Sequence, residues 1–228
     1  MTDLPVGYRF NIFSGHYGSG KSEVSVNFAI LLARSFRTAI VDFDIINPYF
    51  RTAGAKAELE KQGVRVITPV YANTNVDVPA LPAEISSLFD DAGIKAVFDA
   101  GGDSAGAKAV SRYREEFIPE QTAHFFVFNL RRPLTSSVPK ILDAYNSIRE
   151  SARVPFTAIV NNTNLLSETG ETDLLEGLEA AVEFSRLVSL PVAFNTYLGD
   201  FRAVSKFTLR SEDLGIPVFF ISKHILMP

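Results

Sequence analysis

Eight short apolar segments alternate with helical segments along this chain, and this alternation restricts its possible folds more than any other feature. Several of these segments are apolar on both faces, as strands must be when helices cover both sides of a sheet. The segments between them carry apolar stripes at helical spacing. The pattern predicts an α/β fold in which a parallel sheet is wrapped by helices. The predicted strands are Tyr8–Phe13, Ala39–Phe43, Val64–Ile67, Ala96–Phe98, His124–Phe128, Phe156–Val160, Val192–Phe194 and Val218–Ile221.

Length and composition predict one domain and exclude several classes of protein. The 228 residues fit a single domain, residues 1–228, because no linker rich in Gly, Ser or Pro divides them. Cysteine is absent, which excludes disulfides, thiolate catalysis and cysteine-ligated metal clusters. The net charge of −4 argues against a nucleic-acid partner. Without a long apolar run or a signal-peptide pattern, we expect a cytoplasmic protein with no membrane partner.

The segment GHYGSGKS, residues 15–22, has the spacing of a phosphate-binding loop, or P-loop. It follows a predicted strand and opens a predicted helix, which is the context that the motif needs. Glycines let backbone N–H groups converge on phosphate oxygens, and the helix start adds a positive dipole. Lys21 places its charge between the β- and γ-phosphates, and the Ser22 hydroxyl can bind magnesium. The predicted nucleotide site comprises Gly15, Gly18, Ser19, Gly20, Lys21, Ser22 and Glu23.

Carboxylates at two strand ends are expected to face this loop. Asp42 and Asp44 lie two residues apart, so in an extended chain they point the same way. Asp99 ends another apolar strand and is followed by Gly101 and Gly102. The carboxyl ends of parallel strands are where open α/β sheets bind ligands. We therefore predict that Asp99 serves a magnesium site and that the N–H of Gly102 contacts a γ-phosphate.

The order of P-loop, VDFD and FDAGG resembles the CobQ/CobB/MinD/ParA group of P-loop proteins over most of the chain. The resemblance implies a doubly wound, mainly parallel sheet with helices on both faces. It also implies a slow ATPase that acts as a switch, commonly as a homodimer formed around nucleotide. By position, Asp44 matches the acid that orients the attacking water. Asp42 and Asp99 match acids near magnesium, and Gly102 matches a γ-phosphate sensor.

The P-loop departs from the pattern of this group at its tip. His16 stands where the group has a lysine that reaches across the dimer, and Tyr17 replaces a glycine. These changes put the shared-dimer contact in doubt, and we expect His16 to be a neutral loop histidine. Glu23 stands where a small or hydroxyl residue is common, so its carboxylate must turn away from the α-phosphate or weaken binding.

The base-reading segment favours ATP over GTP. An Asn-Lys-x-Asp string, which reads guanine in the best-known P-loop switches, is absent, and its expected place holds Asn161, Asn162, Thr163 and Asn164. An amide offers a donor and an acceptor, as the N6 and N1 edge of adenine requires. In the group that the chain resembles, an Asn near here contacts adenine. Asn161 or Asn162 is therefore the predicted reader, with ATP and Mg²⁺ as cofactors.

Two functions remain open at this point. The first is an ATPase switch for a partner protein, with the aromatic loop 48–51 as the coupling element. The second is a small-molecule kinase or an ATP-dependent ligase like dethiobiotin synthetase. In that case Arg51, Arg131 or the loop 69–82 would line an acceptor pocket. Nitrogenase-type iron proteins and glutamine amidotransferases are excluded because both need cysteine.

Overall fold

One eight-stranded sheet organises the chain. The computed structural model describes residues 4–43, 53–68, 83–102 and 104–224. The strands follow the order β3-β2-β4-β1-β5-β6-β7-β8, and every neighbouring pair is parallel. The strands are β1 Phe10–Ser14, β2 Arg37–Asp42, β3 Val64–Ile67, β4 Ile94–Asp99, β5 Thr122–Phe128, β6 Ala158–Asn161, β7 Val192–Leu198 and β8 Val218–Ile221.

Helices cover both faces of this sheet, so the predicted doubly wound α/β fold is confirmed. One face carries the first two helices, whose apolar residues share a core with Phe13 and Phe125. The opposite face carries the third to sixth helices, which pack on two further apolar clusters, and the seventh packs beside the sixth. The helices are α1 Lys21–Ala33, α2 Ala53–Lys61, α3 Ala83–Asp90, α4 Ser104–Ser111, α5 Val138–Ala152, α6 Glu171–Val188 and α7 Ser205–Asp213.

Each predicted strand is present, but several bounds differ from the prediction. The largest difference is in β7, which was expected to end at Phe194 and continues to Leu198. Its second half carries Asn195 and Thr196, which are polar and yet 0% and 3% exposed. A pattern based on apolar residues misses such a half-strand, because its polar side chains are buried through hydrogen bonds with Asn161, Asn162 and Ser211.

Helix α1 is buried on more than the one side that its apolar stripe predicted. Val24 and Phe28 face the sheet, where Phe28 lies 5.3 Å from the Phe13 ring. On another side, the Asn27 amide exchanges two hydrogen bonds of 2.8 Å with the backbone of Ser222. The segment after β8 therefore contacts a second side of α1, the helix that follows the P-loop.

Candidate functional site

The predicted P-loop lies where the sheet changes winding direction. It joins the end of β1 to the start of α1. The chain moves from β1 to β2 and β3 on one side of the sheet, and later crosses to β5 on the other. Ligands of open α/β sheets bind at the carboxyl ends of the strands at such a point. The loop therefore joins a strand to a helix, as the sequence predicted, and lies at the edge where such sheets bind ligands.

The backbone of the P-loop is held by close contacts with the strands beside it. Gly15 lies against the Val127 carbonyl of β5. Within the loop, Ser19 N donates to His16 O at 3.0 Å. Gly20 has φ +78°, and a Cβ there would lie 2.2 Å from Nδ2 of Asn162. Only glycine meets both conditions, so this member of the motif is required by the fold as well as by any ligand.

Lys21 and Ser22 open α1 and are nearly buried, with 4% and 8% of their surface exposed. In the described part of the chain, no carboxylate forms an ion pair with the Lys21 ammonium. A buried charge without a counterion is costly. The site is therefore suited to an anion that brings the missing negative charge, and the helix start adds to that preference.

Two buried carboxylates lie beside the loop. Asp42 and Asp99 end neighbouring strands and are paired in register, and Asp99 is also paired with Phe13 of β1. In-register residues of neighbouring strands share a face, and neighbouring strands lie about 4.8 Å apart. Phe13 packs under α1, so both carboxylates are on the α1 face. Each is 0% exposed.

Gly102 touches the tip of the P-loop. A Cβ on Gly102 would lie 2.6 Å from the backbone nitrogen of Tyr17. Only a glycine permits the loop after β4 to approach this closely. The structure thus brings Gly102 to the P-loop, while its role toward a γ-phosphate remains a prediction. Tyr17 itself is 61% exposed.

Asn161 and Asn162 form a buried amide network at the end of β6. Asn162 Nδ2 donates to the Ser19 carbonyl at 2.7 Å, and its Oδ1 accepts from Thr196. Asn161 Nδ2 donates to Asn195 at 2.8 Å, and its Oδ1 accepts from Thr163. These amides bind the P-loop to β6 and β7. Their predicted contact with a base is therefore additional to a structural role that the sequence did not indicate.

The Glu23 side chain contacts the chain after β8. Its Oε1 accepts from His224 N at 2.6 Å and from Asn27 Nδ2 at 3.4 Å. The carboxylate is thus held by the C-terminal segment. Any nucleotide contact of Glu23 remains a prediction.

His124 of β5 lies behind the end of β1 and was missed as a site residue. Its Nδ1 is 3.1 Å from the Val154 carbonyl, and its Nε2 is 2.8 Å from the Ser14 hydroxyl. A carbonyl only accepts, so Nδ1 carries the proton and Nε2 accepts from Ser14. Burial lowers the pKa of His124 to about 4, which keeps the ring neutral. Since Ser14 directly precedes Gly15, this neutral histidine anchors the start of the P-loop.

Two consecutive arginines follow β5 and differ sharply. Arg131 Nε donates to Asp173 at 2.7 Å, and its guanidinium also bonds Glu176. These partners, Glu176 foremost, raise the pKa of Arg131. Arg132 instead donates from Nε to the Gly18 carbonyl of the P-loop at 3.0 Å. Arg131 is a candidate acceptor-pocket residue from its sequence, whereas no sequence pattern pointed to Arg132.

Several predicted features lie outside the described residues. They are Asp44, the aromatic loop 48–51, which includes Arg51, and the segment 69–82. Among the described residues, no helix is long and apolar enough to cross a membrane.

Comparison with known proteins identifies the fold. No family model and no curated protein matches the chain. Among solved structures, it matches the 54 kDa signal recognition particle protein from Aeropyrum pernix K1 in complex with GDP. That match has a TM-score of 0.54 and 16% identity, and covers 93% of this chain and 51% of that one. The fold is that of a P-loop nucleoside triphosphatase.

Two further structures agree. Chloroplast FtsY from Physcomitrella patens gives a TM-score of 0.53 at 16% identity, covering 91% of this chain and 68% of that chain. FlhF complexed with GMPPNP and Mg²⁺ gives 0.52 at 17% identity, covering 84% and 67% respectively. This chain thus spans about half to two thirds of the matched proteins. At such identities the likeness extends to the fold alone, and the CobQ/CobB/MinD/ParA resemblance remains a prediction.

Proposed function

We propose that this protein is a magnesium-dependent nucleoside triphosphatase that uses ATP and acts as a switch for a partner protein. The observation that carries the proposal is Lys21, a nearly buried lysine without a carboxylate partner in the described part of the chain. It sits in a P-loop at the start of a helix. A nucleotide phosphate supplies the anion that this position requires.

In the proposed reaction, water attacks the γ-phosphorus and the bond to the β-phosphate oxygen breaks, which yields ADP and inorganic phosphate. Lys21 and the N–H groups of residues 18–22 hold the phosphates and stabilise the charge of the transition state. Asp44 orients the attacking water, and the Gly102 N–H contacts the γ-phosphate. The close approach of Gly102 to Tyr17 supports this role, because it brings the glycine to the P-loop tip.

The residues around the loop fit Mg²⁺. The Ser22 hydroxyl and the carboxylates of Asp42 and Asp99 are oxygen donors, the type that this ion prefers. The two carboxylates lie in register on the sheet face that α1 covers. Helix α1 begins with Lys21 and Ser22. Held by these residues, the ion would neutralise part of the phosphate charge.

ATP is the proposed nucleotide because of the residues at the end of β6. Guanine presents two neighbouring donors, which the two oxygens of a carboxylate accept together, whereas an amide has a single acceptor oxygen. Asn164 is such an amide, and its Oδ1 already accepts from Leu166 N at 3.2 Å. The guanine nucleotides in two of the matched structures belong to proteins that are only 16% and 17% identical to this chain.

The partner protein and the nucleotide-dependent homodimer are part of the same proposal. The exposed Tyr17 at the P-loop tip supports it, since a partner protein can contact that side chain next to the nucleotide site. The kinase or ligase alternative loses one support in the structure. Arg131, an expected acceptor-pocket residue, is bound by Asp173 and Glu176.

Nucleotide binding and turnover by the purified protein test the proposal. Fluorescent ATP and GTP analogues measure the affinities, and phosphate release with and without Mg²⁺ measures the turnover. Lys21→Ala should abolish binding, whereas Lys61→Ala should not, since Lys61 is exposed at the end of α2, remote from the P-loop. Tighter binding of GTP would contradict the choice of ATP alone. Turnover that requires an added small-molecule acceptor would contradict the switch.

A further inference from the structure

The loop after β5 places one arginine directly against the P-loop. The aliphatic part of Arg132 packs on Gly18, with Cδ 3.5 Å from the position of a Cβ there. Its Nε donates to the Gly18 carbonyl at 3.0 Å. The side chain is therefore fixed at its base and at its Nε, and the planar guanidinium beyond Nε has a defined direction.

No carboxylate in the described part of the chain pairs with Arg132, unlike its neighbour Arg131. The acceptor at Nε is a neutral carbonyl, whereas two carboxylates bind the guanidinium of Arg131. A guanidinium has five N–H donors. In the described part of the chain only the Nε–H is used, so the donors on both Nη atoms remain available. The two Nη groups of a charged arginine thus lie beside the P-loop with their hydrogen-bond donors unused.

The P-loop itself supplies little charge for a triphosphate. Residues 15–22 contain one lysine, and the tip residues are His16 and Tyr17. P-loop enzymes commonly add an arginine to the charge from lysine and magnesium, either from the same chain or from a partner. From Nε, either Nη atom with one hydrogen bond reaches an oxygen about 5 Å away.

We propose that Arg132 is a nucleotide-contacting residue whose Nη atoms bind a β- or γ-phosphate oxygen of the bound triphosphate. Its anchor is the carbonyl of Gly18, and the N–H of the same residue belongs to the predicted phosphate cradle. Arg132 then supplies, from the same chain, positive charge that the P-loop tip lacks. This inference rests on the proposed function, because it needs a triphosphate in the P-loop.

The test compares Arg132→Gln, Arg132→Lys and the matched control Arg131→Gln. Affinities are measured for ATP, ADP and inorganic tripolyphosphate, together with kcat and KM. Arg132→Gln should weaken ATP and tripolyphosphate binding by about 10- to 100-fold, the loss expected for a hydrogen bond to a charged group. ADP should lose less than ATP where the γ-phosphate takes the contact, and as much as ATP where the β-phosphate takes it. Arg132→Lys should restore part of the affinity, while Arg131→Gln should leave it unchanged and lower the melting temperature.

The other outcomes overturn the inference in distinct ways. If ATP and ADP lose equal affinity while tripolyphosphate is unaffected, Arg132 contacts the base instead. If Arg131→Gln causes the same loss, the effect comes from the folding of the shared loop. If Arg132→Gln matches the wild type, Arg132 does not touch the nucleotide. A wild-type protein that binds no triphosphate would instead refute the proposed function.

Discussion

The two sides of the P-loop are built from different chemistry. On the side of β2 and β4 lie the carboxylates Asp42 and Asp99, followed by a glycine that touches the loop tip. On the side of β5 to β7 lie amides, hydroxyls and a neutral histidine, which bind one another and the loop backbone. The difference suggests a division of work. The acidic side provides the carboxylates that the proposed reaction needs, and the hydrogen bonds of the amide side hold the loop in shape.

This comparison predicts that changes to the acidic-side carboxylates affect turnover more than stability, and that changes to the hydrogen-bonded amides and histidine of the other side do the reverse. The clearest test is Asp44, which follows β2 by two residues. Asp44→Ala should keep nucleotide binding and reduce turnover by about 100-fold or more, because a positioned acid contributes that much to proton transfer and water alignment. Phosphate release and fluorescent-nucleotide titration measure the two effects. Normal hydrolysis would show that Asp44 does not position the water.

Gly102→Ala tests the contact between the acidic side and the loop tip. The new Cβ would lie 2.6 Å from Tyr17 N, which is backbone and cannot rotate away. We expect a loss of about 2–3 kcal/mol in the free energy of unfolding, as for overpacking elsewhere, and weaker nucleotide binding. Gly7→Ala is the control, since a Cβ there meets nothing within 4 Å. Urea unfolding measures both, and equal stabilities would disprove the close contact.

On the amide side, His124 predicts a pH dependence of stability. Its pKa in the folded protein is about 4 against 6.5 in the unfolded chain. Between these values the unfolded chain binds the proton more readily, so stability is full above pH 6.5 and falls as the pH decreases. The loss at pH 5 is about 2 kcal/mol relative to pH 8. His124→Gln, which does not titrate, should lack this component in urea unfolding. Identical pH profiles for both proteins would refute the assignment.

The sequence predicted the elements that follow local patterns and missed those that depend on spatial proximity. All eight strands have local apolar signals, and the P-loop has a fixed spacing. Arg132 has no such signal, because its contact with Gly18 spans 114 residues of sequence. His124 likewise meets Ser14 only through the pairing of β1 with β5. Arg131 and Arg132 are adjacent and look alike in sequence. Only the position of α6 shows which of them forms an ion pair with a carboxylate.

The same limit applies to the amides at the end of β6. The sequence predicted that they contact the base, and the structure shows that they also hold the P-loop. Asn162 is buried and bonds the Ser19 carbonyl and Thr196, residues that are distant in the chain. A run of asparagines after a strand does not reveal whether its amides face a ligand or the protein interior. Both uses are compatible with the same residues, and experiment separates them.

Asn162→Ala separates these two roles. It removes the donor to Ser19 O and the acceptor for Thr196, so both buried groups lose a partner. We expect a loss of about 1–2 kcal/mol in the free energy of unfolding, with equal weakening of ATP and tripolyphosphate, because the loop itself is loosened. Asn146→Ala on α5, a partly exposed asparagine, is the control. If ATP weakens while tripolyphosphate and stability do not change, Asn162 reads the base and the scaffold role is wrong.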